Sequence, residues 1–383
     1  MSKVAIIPTN PKSVLDDYSN LMDLINYQEF IKKELNTIIK INLSWSLFYP
    51  ACSTPPWQLE GVIGKLLSDG FQSDKIIPVE NQTVVTHPWS GAFKNKWLPI
   101  LKKYNTEYRP LTNEKWVNYE PKGDVPAMRE LFKDKIIIPE VFKEANVIQL
   151  PTIKTHGHTT MTGAMKNAFG GLIPKYRHHS HKVIHEVLVD LLTIQKEIHP
   201  GLLAVMDGSV AGNGAGPRIM EPVLTNTLLA SEDQVAIDAV SAKLMGFDPL
   251  KIKFIKMAHD QGLGIGDVDQ LDIIGMDLEE FKSTNFNFKT KRSLVVRWDQ
   301  RLRKTTYHHR SLKPLHWFLF YTPFFQLFIM ASGVYHDWLW YPLIGKRRIN
   351  KFRSDTEWGQ LFDSYEFGPK MKKYPEIKNW DRY

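Results

Sequence analysis

Between residues 1 and 290, short runs rich in Val and Ile alternate with segments of helical period, and this alternation limits the fold more than any other feature of the sequence. Apolar runs of that kind read as strands buried on both faces, and such strands need helices to cover them. The expected class is therefore α/β, a mainly parallel sheet with covering helices. Candidate strands are 4–7, 37–42, 75–79, 147–150, 202–206 and 271–274; candidate helices are 57–68, 138–145, 183–197 and 234–244. The last helix has Ser231 as its expected cap, Glu232 and Asp233 as first-turn acids, and Gly246 and Pro249 as its stop. Residues 84–126 show no clear period and carry Trp89, Trp97 and Trp116 among prolines and charges. They read as an insertion or lid, or equally as a plain surface excursion.

A different texture begins near residue 291. Residues 291–383 hold 18 Lys and Arg against 8 Asp and Glu, a net of +10, whereas residues 1–290 hold 31 against 33, a net of −2. Pro314 to His336 then runs 23 residues without formal charge, and residues 291–383 contain 21 of the 45 aromatic side chains. The chain is thus expected to comprise an α/β core over 1–290 and a basic, aromatic extension over 291–383. The uncharged run is long enough to cross a bilayer, but Pro323 interrupts it and basic clusters flank both sides, which suits a re-entrant or surface-lying hairpin on anionic lipid through residues 291–353. Packing on the core or a homo-oligomer interface is the competing reading. Nucleic-acid binding is the least supported of the three.

An apolar fraction of 43% over 383 residues is that of a globular protein. Cys52 is the single cysteine, so this chain alone builds neither a disulfide framework nor an iron-sulfur cluster. The N-terminal Met-Ser-Lys-Val-Ala-Ile-Ile-Pro reads as a first strand rather than a signal peptide, and a cytoplasmic protein, peripheral or monotopic on the membrane's inner face, is expected.

Chemistry is concentrated in Lys154 to His181. Seven of the thirteen histidines fall between Lys154 and His199, which leaves proton transfer, metal ligation and anion binding open. Residues 146–156 read as a strand leaving its sheet, so Lys154 and His156 would share a face at its carboxyl end, where open α/β sheets bind ligands. His158 follows, and residues 159–168 read as a helix start with Thr hydroxyls as caps and Lys166 and Asn167 two turns in. Beyond them lie Gly170, Gly171 and Lys175, and His178, His179 and His181 form a candidate metal site or second proton donor. A second pattern, residues 204–217, ends an apolar strand in Asp207 and continues through glycines, Gly214 and Gly216 among them, that could present amides to an anion. A third joins Asn42 to Ser53 and Thr54, hydroxyls able to cap a helix or hold an anion.

Lys40-Ile-Asn-Leu, Pro151-Thr-Ile-Lys-Thr-His, Gly163-Ala-Met-Lys-Asn-Ala-Phe-Gly, Val205-Met-Asp-Gly and residues 229–249 together resemble the bacterial and archaeal family called domain of unknown function three-six-two. The resemblance spans roughly residues 1–285. It implies the α/β fold and, in many members, an associated iron-sulfur module, from which this chain departs by its lack of cysteines. Lys166, Gly170-Gly171, Pro174 and His181 are also distantly reminiscent of the lactate racemase class, where such groups hold a nickel-bearing cofactor. The expected function is an enzyme that binds a small anionic substrate or cofactor. Lys154 and Lys166 would hold the charge, His156 would act as acid or base and Asp207 would orient or ligate, in a racemisation or elimination. The alternative is a non-catalytic protein that holds a metal ion or small-molecule cofactor and serves a redox or membrane partner.

Overall fold

The computed structural model describes residues 2–83, 86–133, 135–174 and 177–368, the side chains of 177–179, 294 and 296 excepted. Its frame is a mixed, mostly parallel sheet. In chain order the strands are β1 (Lys3–Pro8), β2 (Thr37–Lys40), β3 (Ile76–Glu80), β4 (Arg109–Pro110), β5 (Trp116–Asn118) and β6 (Ile137–Pro139), then β7 (Asn146–Gln149), β8 (Thr152–His156), β9 (Thr160–Met161), β10 (Leu202–Ala215), β11 (Ile219–Ser231) and β12 (Asp272–Ile274). The main sheet runs β12-β1-β11-β10-β7-β2-β3-β4, with β8 branching from β10 and carrying β9, while β5 and β6 form a separate antiparallel pair. Strands β10, β7, β2, β3 and β4 run parallel, and β11 is antiparallel to both of its neighbours.

Consecutive strand residues alternate between two hydrophobic cores, as the period-two geometry of a strand requires. Ile38, Val147, Ala204 and Met206 enter one core; Ile39, Ile148, Leu203 and Val205 enter the other. The first core is covered by α5 (Pro126–Phe132), α6 (Ala164–Leu172), α7 (Ile184–Ile198), α8 (Gln234–Met245), α9 (Lys253–Asp260) and α10 (Leu278–Ser283). The second is covered by α1 (Val14–Leu24), α2 (Pro56–Ser68), α3 (Pro88–Lys94) and α4 (Trp97–Lys103). The expected α/β class is therefore the observed one.

The extension adds α11 (Leu294–His308), α12 (Lys313–Tyr321), α13 (Phe325–Gly333), a π-helical segment (Val334–Gly345), α14 (Lys346–Asp355) and α15 (Glu357–Ser364). Its far end belongs to the second core, where Ile349, Phe352, Trp358 and Phe362 are buried. The indole of Trp45 donates to Asp337 at 2.7 Å, and Lys96 Nζ donates to the Phe362 and Tyr365 carbonyls.

Four local expectations are corrected. Residues 138–145 are not a helix: Ile137–Pro139 pairs with Trp116–Asn118, and only a single 3₁₀ turn follows. The cap of α8 is Asp233, whose carboxylate accepts from the Val235 and Ala236 amides, while Ser231 donates to the Lys3 carbonyl across the sheet. Helix α2 starts from Pro55, and Thr54 spends its hydroxyl on the Leu150 carbonyl instead of capping. The glycine-rich stretch to Ala215 is strand, part of a long β10–β11 hairpin, not an anion-cradling loop.

Candidate functional site

The carboxyl ends of β2 and β3 carry charged residues after apolar runs, and burial forces those charges to pair. Lys40 Nζ lies 2.9 and 3.0 Å from the two Glu80 oxygens, and both side chains are fully buried. Two ions removed from water persist only when each satisfies the other and its remaining hydrogen bonds, and Glu80 also accepts from the Asn81 amide at 2.7 Å. Gly170 admits the pair, because a Cβ there would sit 3.2 Å from Lys40 Nζ.

Helix α6 lies over these strand ends. It opens at Gly163, whose φ of +94° suits glycine and whose missing Cβ would lie 2.2 Å from Asp238 Oδ1. The Asp238 carboxylate takes the place of the expected Thr caps, accepting from the Ala164 and Met165 amides at 2.6 and 3.1 Å. Asn167 then ties the helix to the sheet, donating to the Lys40 carbonyl and to Gln149 Oε1, each at 2.9 Å, and accepting from Asn42 at 3.2 Å. Gln149 in turn donates to Gln195 at 3.0 Å, and Lys154 donates to Asn42 Oδ1, to the Cys52 carbonyl at 2.8 Å and to Thr152 at 2.7 Å. Burial lowers the Lys154 ammonium to about 7. Its three acceptors make it a strut for Asn42, one layer behind the site.

Above this frame is a cavity of about 650 Å³, a volume typical of small-molecule sites. Of the sequence-derived candidates, Asn42, His156, His158, Lys166, Asn167, Gly170, His181 and Gly216 line it. Lys154, Ser53, Thr54, Gly171, Gly214 and Asp207 do not. Gly171 backs onto the Phe142 ring, Gly214 faces open space, and Ser53 accepts from the Ser44 amide at 3.4 Å. Asp207 is buried on the opposite face of β10, accepting from Tyr18 at 2.6 Å, Ser209 at 2.8 Å and Trp57 at 3.1 Å; burial pushes its carboxyl up to about 6 against those bonds. The orienting role expected of it at the cleft is therefore not where the structure puts it. Lys175 lies outside the described residues, as do the side chains of His178 and His179.

The histidines differ in the nitrogen they leave over. His156 Nδ1 accepts from the His158 amide at 3.1 Å, so its proton is on Nε2. Burial, with Lys166 next, holds its pKa well below the ordinary value, leaving a neutral donor. His158 Nδ1 meets the Gln300 amide at 2.7 Å, and burial lowers it to about 3. That Gln300 nitrogen also donates to the Gly157 carbonyl at 3.2 Å, so His158 likewise carries its proton on Nε2. His336 is the reverse: Nδ1 faces the Ser332 carbonyl at 2.8 Å and must donate, so Nε2 keeps its lone pair; burial lowers this ring to about 4. Among the described residues no group of three His, Cys, Asp or Glu side chains is placed to hold a metal ion.

The roof comes from the extension. Val295, Leu302, Phe325, Phe328 and Ile329 contribute apolar surface, with Trp298 at the rim. Arg303, also in the lining, is paired to Asp299 at 2.8 and 2.9 Å, and its guanidinium stacks 4.2 Å from the Phe320 ring centroid. As site residues, Lys40, Glu80, Arg218 and His336 escaped the sequence reading; Lys40 figured there only within the motif Lys40-Ile-Asn-Leu. A Lys and a Glu closing adjacent apolar strands were a legible signal; His336, lost in an aromatic run, had none.

The sequence model of the family described as Domain of unknown function (DUF362) matches residues 37–243, more than half of the chain. The chain belongs to the DUF362 family. Every floor residue named above, from Lys40 to Arg218, falls within the DUF362 match, and the roof falls outside it. A DUF362 chain also resembles the thylakoid-associated protein sll1697 of Synechocystis, with 34% identity over 178 residues, covering 45% of this chain and 52% of that protein. The chain thus spans about half the length of the curated relative it matches. No solved structure matches it.

Proposed function

We propose that this protein is an enzyme that binds an anionic substrate in the cavity and moves a proton next to its carboxylate or carbonyl group, as in a racemisation or elimination. Lys166 takes the proton as the neutral amine and so becomes the ammonium that faces the anion formed; the Nε2–H of His156 donates to the oxygen that gains charge. The observation that supports this is that Lys166 and a buried, neutral, single-tautomer His156 line one cavity. A fixed donor in such a setting stabilises developing negative charge more than it would in water. Asn42, held by Lys154, and the Lys40–Glu80 pair position the floor.

The test is deuterium wash-in from D₂O, followed by NMR, at C2 of 2-hydroxy and 3-oxo carboxylates and at C3 of 2-oxo carboxylates of graded chain length. Exchange should fall about 10²- to 10⁴-fold in Lys166→Ala and about 10²- to 10³-fold in His156→Ala. Absence of exchange across the whole series with the wild-type chain sinks the reading.

A membrane setting is part of the proposal. Among the described residues no single helix is long and apolar enough to cross a bilayer, but Arg310–Tyr321 and Phe325–Asp355, bent by 56°, together have the length and composition. Trp317, Phe318, Leu327, Met330, Trp338 and Leu343 are exposed. Arg297, Arg301, Lys304 and Lys346 are exposed on the flanking helices, a charge distribution suited to anionic headgroups. The Synechocystis relative is named for thylakoid association. Co-sedimentation with phosphatidylglycerol vesicles, and much less with phosphatidylcholine, is expected; no binding to either removes the membrane from the proposal.

A further inference from the structure

The two walls of the cavity differ in chemistry, and that difference specifies a ligand. The floor offers a cation and imidazole N–H groups through Lys166 and His156, with Asn42 beside them. The roof offers aliphatic and aromatic surface, and its one buried guanidinium, Arg303, is already matched by Asp299. A compact, fully polar anion would satisfy the floor and leave Val295, Leu302, Phe328 and Ile329 facing it across water. That apolar area contributes to affinity only if a hydrocarbon part of the ligand covers it.

Helix α13 sharpens the point, because it is apolar on both sides. Phe325, Phe328 and Ile329 face the cavity, while Leu327 and Met330, 54% and 63% exposed, face outward. A helix apolar all round is ordinarily enclosed by other apolar groups. Trp298 of α11, also in the lining, is 67% exposed, so the cavity opens to the surface. Helix α13 thus presents apolar surface both to a hydrocarbon tail inside and to an apolar phase outside.

We propose that the cavity binds a single-chain anionic amphiphile, with its acid head on Lys166 and His156 and its hydrocarbon chain along α11 and α13. This rests on the reading of the floor as an anion site and adds the tail to it. The ligand is then of the lipid-derived carboxylate or phosphate class rather than a small hydroxy acid.

Titration calorimetry on the full chain with laurate, 1-dodecanol and acetate, below their aggregation limits, separates the parts. Laurate should bind at least thirtyfold more tightly than either of the others. Across a saturated carboxylate series affinity should rise about three- to fourfold per added methylene until the cavity is filled. Lys166→Gln should weaken laurate at least tenfold and leave dodecanol unchanged; Ile329→Asp should weaken laurate at least tenfold and leave acetate unchanged. The wild-type chain-length series needs no variant, so misfolding of either protein does not blunt the test. Acetate binding as tightly as laurate, with no gain per methylene, overturns the amphiphile and leaves the anion site standing. Dodecanol matching laurate, with no loss in Lys166→Gln, overturns both. Failure of laurate to bind overturns the amphiphile as well.

Discussion

The floor of the cavity is made of groups that hold one another, whereas the roof is made mainly of apolar side chains that face the cavity, each other and the exterior. In the floor, Gln195, Gln149, Asn167, Asn42 and Lys154 form one hydrogen-bonded line, and Lys40 and Glu80 neutralise each other beside it. In the roof, the helices from α12 through the π-helical segment leave Trp317, Leu327, Met330 and Trp338 exposed. The contrast teaches where each kind of specificity resides. Directional bonds that are costly to break fix a reacting group; apolar contacts that are easily rearranged accept a range of shapes.

Substitutions in the floor should therefore cost stability, and the largest effect is expected at Gly163. An alanine there would need a strained φ and would meet the Asp238 carboxylate, so Gly163→Ala should lower unfolding free energy by about 4 kcal/mol in denaturant titration. A loss below about 1 kcal/mol would mean that the Asp238 cap does not anchor the floor.

Next in size is an acid-side loss of stability. His199, buried against the Ala145 carbonyl, is lowered by burial to about 4, and His158 to about 3. Below the unfolded value of about 6.5 the unfolded chain binds protons that these rings refuse, so stability falls as pH drops from about 6.5 to 4, by up to about 3 kcal/mol for His199. Melting temperatures across that window should show the fall, and His199→Gln should flatten it.

Smaller again is Asn167→Leu, which leaves Gln149 Oε1 without its donor and takes one of two donors from the Lys40 carbonyl, which keeps the Leu150 amide, and should cost about 2 kcal/mol. In the roof, Met330→Glu should change stability by less than about 0.5 kcal/mol yet reduce phosphatidylglycerol vesicle binding at least tenfold. If Met330→Glu destabilised the chain as much as Asn167→Leu, the contrast between floor and roof would fail. The two tautomers sharpen it: side-chain nitrogen NMR should find His156 protonated on Nε2 and His336 on Nδ1.

Much of the fold was legible because strand runs such as Thr37-Ile-Ile-Lys and Asn146-Val-Ile-Gln are apolar on both faces, and only a helix-covered sheet accommodates that. Residues 138–145 misled because the apolar spacing of Ile138, Val141 and Phe142 fits a helix, while the pairing of 137–139 with 116–118 is a contact that local period does not encode. The site was legible as a cluster and not as a geometry. His156, His158 and Lys166 meet because one hairpin and one helix are adjacent in sequence. Lys154 and Asp207 were assigned to the cavity as residues at strand carboxyl ends, but Asn42 captures the first from 112 residues away and Tyr18 the second from 189.

The Gln300 side chain reaches from α11 to both the Gly157 carbonyl and His158 Nδ1, so the extension helps to set which nitrogen of a floor histidine bears hydrogen. In the proposed reading, the head-group chemistry lies in the segment matched to DUF362, residues 37–243, and the tail preference in an appended one. The two meet at the Gly157–His158 turn, where Arg292 Nε also donates to the Gly157 carbonyl at 3.1 Å. Exchanging residues 291–345 for another apolar hairpin that keeps a glutamine at this point would retune the accepted chain length without rewriting the acid–base machinery beneath it.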